Sequence, residues 1–124
     1  MLPFRRKRVL VLDDDGPMRR LLTLLLKRAG FAVDCVVSGN DAIAAIDKRK
    51  YTAILLDLMM PLEGGRTVIR HLREHAPAML HRVVVITGAP EAAIDPIRPE
   101  IFAVVRKPFR HEEIGETVKK LAKS

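Results

Sequence analysis

Apolar positions along the chain follow two rhythms, and the switches between them mark out the elements. Arg8–Leu12 (R-V-L-V-L), Tyr51–Leu56, His81–Thr87 (H-R-V-V-V-I-T) and Ile101–Arg106 are short apolar runs bounded by turn residues or charges. They are too brief for helices and read as strands, the first of them buried on both faces. Phe31–Val37 alternates instead, with Phe31, Val33, Cys35 and Val37 on one side, as an outer strand does. Between the runs the spacing becomes helical. Met18, Leu21, Leu22, Leu25 and Leu26 recur after Gly16-Pro17, with Arg19, Arg20, Lys27 and Arg28 elsewhere on the wheel and Gly30 as the stop. Ser38, with Asp41 three residues on, predicts a cap for a helix over Asp41–Lys48. Val68, Ile69 and Leu72 predict a helix over Arg66–His75, and a last helix spans His111–Ala122, weakened by Gly115. Pro90, Pro96 and Pro99 leave room only for a short or irregular fourth helix in Gly88–Glu100.

Strands and helices thus alternate, which predicts an α/β fold. A doubly wound five-stranded parallel sheet, right-handed crossovers and helices on both faces follow. At 124 residues, 1–124 reads as one domain around one core.

Composition narrows the setting. No apolar run approaches the ~18 residues of a membrane span, and the basic Met1–Arg8 segment has no secretory apolar region behind it. Cys35 is alone, which rules out an internal disulfide and fits a reducing, cytoplasmic location. Its Phe and Val neighbours predict a small core residue rather than a reactive thiol. A net charge of +7 raises the question of nucleic acid, but beyond Arg5-Arg6-Lys7-Arg8 the basic residues are scattered. Four Phe and one Tyr sit mostly in apolar runs rather than in a stacking platform. A solvated basic surface is therefore expected, with an acidic partner or weak salt-sensitive nucleic-acid contact as the other readings. His71 and His75 have metal-ligand spacing, yet no acidic or Cys partner accompanies them in sequence, so two solvated histidines are expected.

The chemistry collects at strand ends. The first strand ends in Asp13 and Asp14, the third in Asp57, the fourth in Thr87 and the fifth in Lys107. In a doubly wound sheet these ends share one edge, at the point where strand order reverses. A single Asp after a strand is often only a turn residue, but three on one edge repel. At ~4 Å and an effective dielectric near ~20, each pair costs about 4 kcal/mol. Lys107 supplies one countercharge, and an all-oxygen set selects Mg2+, or Mn2+, for the rest. A carboxylate nucleophile beside a metal, an ammonium and a hydroxyl suits phosphoryl transfer to form an aspartyl phosphate.

Four segments carry a resemblance: V-L-V-L-D-D-D at 9–15, L-L-D-L-M-M-P-L-E-G-G at 55–65, V-V-V-I-T-G at 83–88 and V-R-K-P-F at 105–109. Over essentially its whole length the chain resembles the receiver domain of two-component response regulators, stand-alone or part of a longer chain. The resemblance implies a flavodoxin-like strand order 2-1-3-4-5 and Asp57 as phosphoacceptor. It implies Asp14 as a direct Mg2+ ligand, Asp13 acting mainly through a metal-bound water, and the Met59 backbone carbonyl as a further ligand. Thr87 and the Gly88 amide would bond phosphoryl oxygens, Lys107 would pair with the phosphoryl group, and the Lys107-Pro108 peptide would be cis. The implied partners are a histidine kinase or histidine phosphotransfer protein and a downstream protein, with homodimerisation open; neither membrane nor nucleic acid is among them. Such a domain assists its own phosphorylation without turning over an independent substrate.

The chain departs from the family pattern at two points. Val104 stands where an aromatic is expected three residues before the Lys, and Phe102 is expected on the same side of the strand, two residues away. Met59 stands where a polar residue often positions the water that removes the phosphoryl group, which predicts slow self-dephosphorylation. The alternative is a degenerate receiver used for docking or dimerisation. A Mg2+-dependent phosphohydrolase is the remaining one, and Met59 occupies the position where it would need its second acid.

Overall fold

The computed structural model describes residues 6–60 and 64–124; Arg5 of the basic segment and Pro61 to Glu63 of the second motif lie outside them. Five strands form the frame: β1 (Arg8–Leu12), β2 (Ala32–Val36), β3 (Ala53–Leu56), β4 (Val83–Thr87) and β5 (Ala103–Arg106). They pair in parallel in the order β2-β1-β3-β4-β5. Between them run α1 (Gly16–Arg28), α2 (Gly39–Lys48), α3 (Gly65–His75), a 3-10 helix (Pro77–Arg82) and α4 (Glu91–Ile94), and α5 (His111–Lys123) follows β5.

The period of two along each strand divides the apolar residues into two cores. Leu10, Leu12, Ile54, Leu56, Val83 and Val85 face α2, α3 and α4, where Ile46, Leu72 and Ile94 meet them. Val9, Val11, Leu55, Val84, Ile86 and Val105 face α1 and α5, where Leu22, Leu26, Ile114 and Leu121 meet them. Both faces of the central strands are buried, which is why their sequences read as unbroken apolar runs. Ser38 caps α2 by accepting from the Asp41 amide at 3.1 Å, and the helix begins two residues earlier than the periodicity predicts. The prolines reduce α4 to a single turn, as expected.

Four details differ from the sequence expectations. Cys35 is exposed, and the Thr23 hydroxyl lies 3.2 Å from its sulfur. β2 is an edge strand, so the apolar cover reaches Phe31 and Val33 but fails by Cys35 and Val37, the latter 51% exposed. Phe102 packs in the α1/α5 core while Val104 packs in the other, so they do not share a side. The pairing register starts at Ala103, and alternation does not extend to the bend before it. His71 does have an acidic neighbour: Asp47 of α2 stands 3.8 Å from its Nε2, brought there by the packing of α2 on α3. Among the described residues no group of three His, Cys, Asp or Glu is gathered to hold a metal. Gly115 is a packing residue, since a Cβ there would stand 3.3 Å from the Ala29 Cβ at the end of α1. No helix among the described residues is long and apolar enough to cross a membrane.

Candidate functional site

The carboxyl ends of β1, β3, β4 and β5 meet at one rim of the sheet. Asp57 directly follows β3, and its amide still donates to Leu12 O at 3.3 Å, so the strand geometry delivers it to the rim. From the other side the Gly65 amide donates to the Asp57 carbonyl at 3.2 Å. A Cβ on Gly65 would fall 2.5 Å from that oxygen, so only glycine lets α3 start this close to the acceptor.

Asp57 is 7% exposed and both its carboxylate oxygens are engaged. Oδ1 accepts from the Thr87 hydroxyl at 2.8 Å and from the Met59 amide at 2.9 Å. Oδ2 accepts from Lys107 Nζ at 2.8 Å. The same ammonium donates to Asp13 Oδ2 at 3.1 Å, joining the ends of β1, β3 and β5 through one cation. Asp13 Oδ1 accepts from the Asp15 amide at 2.9 Å. Thr87, fully buried, also accepts from the Ala89 amide at 3.2 Å, and the Lys107 amide donates to Thr87 O at 3.0 Å.

Burial pushes the Asp57 carboxyl up, but hydrogen bonds from Lys107, the Met59 amide and Thr87, with the Lys107 charge, outweigh it. The carboxyl stays below its ordinary range and is ionised at neutral pH. Burial likewise depresses Lys107, and its bonds to Asp57 and Asp13 reverse the effect and raise it. Asp57 is therefore an anion and Lys107 a cation across the physiological range.

Of the residues singled out from sequence, the fold joins Asp13, Asp57, Thr87 and Lys107 by direct hydrogen bonds. Asp14 is exposed beside them, with no side-chain hydrogen bond among the described residues. Met59 contributes its amide while its side chain points away, 60% exposed; Gly88 is exposed at the rim. The Lys107-Pro108 peptide is cis. Arg19 escaped the sequence reading: its Nη1 donates to the Asp13 carbonyl at 2.7 Å. Its place one turn into α1 was the available signal, because that turn follows directly from the acidic run.

Two buried carboxylates share one ammonium, which leaves one negative charge at the rim, with Asp14 adjacent. Oxygen donors without His or Cys, and a charge still to be balanced, fit a hard divalent cation. Asp13, Asp14 and Asp57 are not drawn into a closed cage, and a small cation held there would keep water ligands.

Comparison with known proteins agrees with this geometry. The family model described as the response regulator receiver domain matches residues 9–119. The chain is 34% identical over 116 residues to the transcriptional regulatory protein ResD of Bacillus subtilis, covering 92% of this chain and 47% of that protein. It is 29% identical over 117 residues to the response regulator receiver protein CpdR of Brucella abortus, covering 93% and 96%. The chain thus spans about half the length of some curated relatives and nearly all of another. Among solved structures, the response regulator protein TrrA of Thermotoga maritima, in complex with Mg(2+)-BeF, superposes with a TM-score of 0.81 at 29% identity, over 93% of this chain and 98% of that one.

Proposed function

The chain belongs to the response regulator receiver family, and on that premise we propose that Asp57 accepts a phosphoryl group in a Mg2+-dependent reaction that switches protein–protein contacts. The donor is a histidine kinase or histidine phosphotransfer protein. One observation carries the reading: the two oxygens of a buried, ionised Asp57 are held separately, by Thr87 and Met59 on one and by Lys107 on the other. One carboxylate oxygen attacks phosphorus, the bond from phosphorus to the donor imidazole nitrogen breaks, and the imidazole leaves with the electron pair. Lys107 stays close enough to pair with the charge that arrives, and Thr87 can turn its hydroxyl from the carboxylate to a phosphoryl oxygen. Asp13, Asp14, Asp57 and the Met59 carbonyl would hold Mg2+, which supplies charge neutralisation at the phosphoryl oxygens. No independent substrate is turned over. The added charge favours whichever arrangement of the rim neutralises it better, and so shifts a population.

The Mg2+-dependent binding of beryllofluoride, a phosphoacyl mimic, tests this reading. Wild type is expected to bind, as the TrrA complex illustrates for a relative, and Asp57→Asn is expected not to. A second reading, a receiver used only for docking, is favoured by Val104 and by the single turn of α4. It predicts no beryllofluoride binding by either protein.

A further inference from the structure

The sheet's other edge gathers what the sequence scatters. In a parallel sheet the segments entering the strands meet at the amino rim, opposite Asp57. Arg6, Lys7 and Arg8 enter β1 there, Lys48, Arg49 and Lys50 lead from α2 towards β3, and Arg82 leads into β4. Two adjoining cavities, of about 640 and 740 Å³, open among these residues. Both are lined by Arg49, Lys50 and Thr52, so they form one elongated groove.

The groove is cationic, and Arg8, Arg49 and Arg82 are held in place. Asp34 of β2 accepts from Arg8 Nη1 at 2.7 Å and lies 3.6 Å from Arg49 Nη1, while the buried Tyr51 donates its hydroxyl to the same carboxylate at 2.7 Å. Arg82 Nη1 donates to Thr52 O at 3.3 Å and Lys7 Nζ to Ala122 O at 2.9 Å. Among the described residues, Asp34 is the one carboxylate that pairs with any of the seven cations. Among the described residues of the lining Asp47 is the one that is acidic, and it faces His71.

From this groove we infer a binding site for the phosphodiester backbone of a nucleic acid, an inference independent of the phosphorylation reading. An elongated, guanidinium-rich groove suits a chain of phosphates better than a single anion. Base stacking plays no part, because Tyr51 is buried and spends its hydroxyl on Asp34. An acidic protein partner would need an apolar centre to its interface. The lining offers little of that kind, with Ile46 buried and Met79 half-buried. Recognition is therefore independent of base sequence and dependent on salt.

The test is fluorescence anisotropy of a labelled duplex of arbitrary sequence with the whole chain, across a range of salt concentrations. Each phosphate neutralised contributes about −0.9 to the slope of log affinity against log salt, and contact with a few phosphates gives a slope of about −3. Lys48→Glu/Lys50→Glu, both exposed, should weaken binding at low salt by about tenfold or more and flatten the slope by about 2. Lys119→Glu/Lys120→Glu on α5 makes the same charge change away from the groove and should cost less than about threefold. Circular dichroism confirms that both variants are folded. Displacement of the duplex by inorganic polyphosphate as well as by unlabelled duplex supports recognition of the phosphate chain. Equal losses in the two variants, no binding at low salt, or equally ready displacement by polyglutamate would overturn the inference, the last by assigning the groove to a carboxylate-rich protein.

Discussion

Replacing Lys107 with Met, in metal-free protein, should reverse the pH dependence of stability. Lys107 lies 2.8 Å from Asp57 and 3.1 Å from Asp13, whose side chains are 9% and 3% exposed. At about 3 Å and an effective dielectric near ~20, each attraction is of order 5 kcal/mol gross. Desolvation offsets much of that, and breaking a buried pair typically costs about 3–5 kcal/mol. The Lys side chain is 22% exposed at an open rim, where water can relax around the stranded carboxylates. A net loss of about 2 kcal/mol at pH 7.5 is therefore expected. In wild type the Asp57 carboxyl lies below its ordinary value of 3.8. Its contribution is then present above that value and is lost only as pH falls through the lowered one, so stability should be flat from pH 5 to 8. Without Lys107, burial beside Asp13 raises the Asp57 carboxyl above its unfolded value. The folded state then holds a proton that the unfolded state has released, and stability should fall as pH rises from about 5 to 8. Urea denaturation in EDTA at several pH values measures both effects; with an m-value of about 1.5 kcal/mol/M, the pH 7.5 midpoint should drop by more than 1 M. A variant within about 0.5 kcal/mol of wild type at pH 7.5, with the same flat profile, would refute the reasoning.

Four further outcomes follow from particular atoms. Burial and the hydrogen bond to Asp34 push the Tyr51 hydroxyl up to about 12, and Tyr51 is the one tyrosine in a chain without tryptophan. Since its folded value is the raised one, its contribution is present below about 10 and lost as pH climbs towards 12; tyrosinate absorbance appearing near 10 with the helix signal intact would contradict this. Gly65→Ala, whose Cβ meets the Asp57 carbonyl at 2.5 Å, should destabilise by about 1–3 kcal/mol and weaken beryllofluoride binding. Gly115→Ala meets Ala29 at only 3.3 Å and gains helix propensity, so thermal melts should place it within about 1 kcal/mol of wild type. Met59→Asn puts a polar group two residues past Asp57, and phosphate loss from the labelled domain should speed up roughly threefold or more; equal rates would reject a role for Met59 in lifetime.

The fold was legible because its central strands are buried on both faces and advertise themselves as apolar runs. Asp13, Asp57, Thr87 and Lys107 were legible because each stands at the end of such a run, Thr87 as its last residue and the others just after, and a parallel sheet places all those ends together. The failures concern residues whose surroundings are set by other segments. Cys35 has a core residue's neighbours in sequence, yet its exposure depends on how far α1 extends over an edge strand. Phe102 obeys no strand alternation because it precedes the pairing. Arg19 lies off the apolar stripe of its helix and turns back to the Asp13 carbonyl, and the Asp47 beside His71 comes from another helix. The basic residues were scattered only along the chain, and three separate segments bring them to one rim.

What keeps α4 in place bears on how the rim communicates with the outer surface. Glu91 bridges Arg98 at 2.7 Å and Arg106 at 3.5 Å, which ties the turn to β5. These groups are roughly half exposed, and such pairs contribute about 0–1 kcal/mol each. Ile94, fully buried, contributes about 1.5–3 kcal/mol and is the stronger anchor. Ile94, the partly buried Ala93 and Ile97 packed on the same core, and a few weak ion pairs therefore hold a segment that starts four residues after Thr87, through Gly88-Ala89-Pro90. Thr87 is committed to Asp57 at one end and to the Ala89 amide at the other. A reorientation of its hydroxyl would break or remake the Ala89 contact, and what would resist a displacement of α4 is only a few kcal/mol. That is the scale at which one added charge can move a two-state equilibrium.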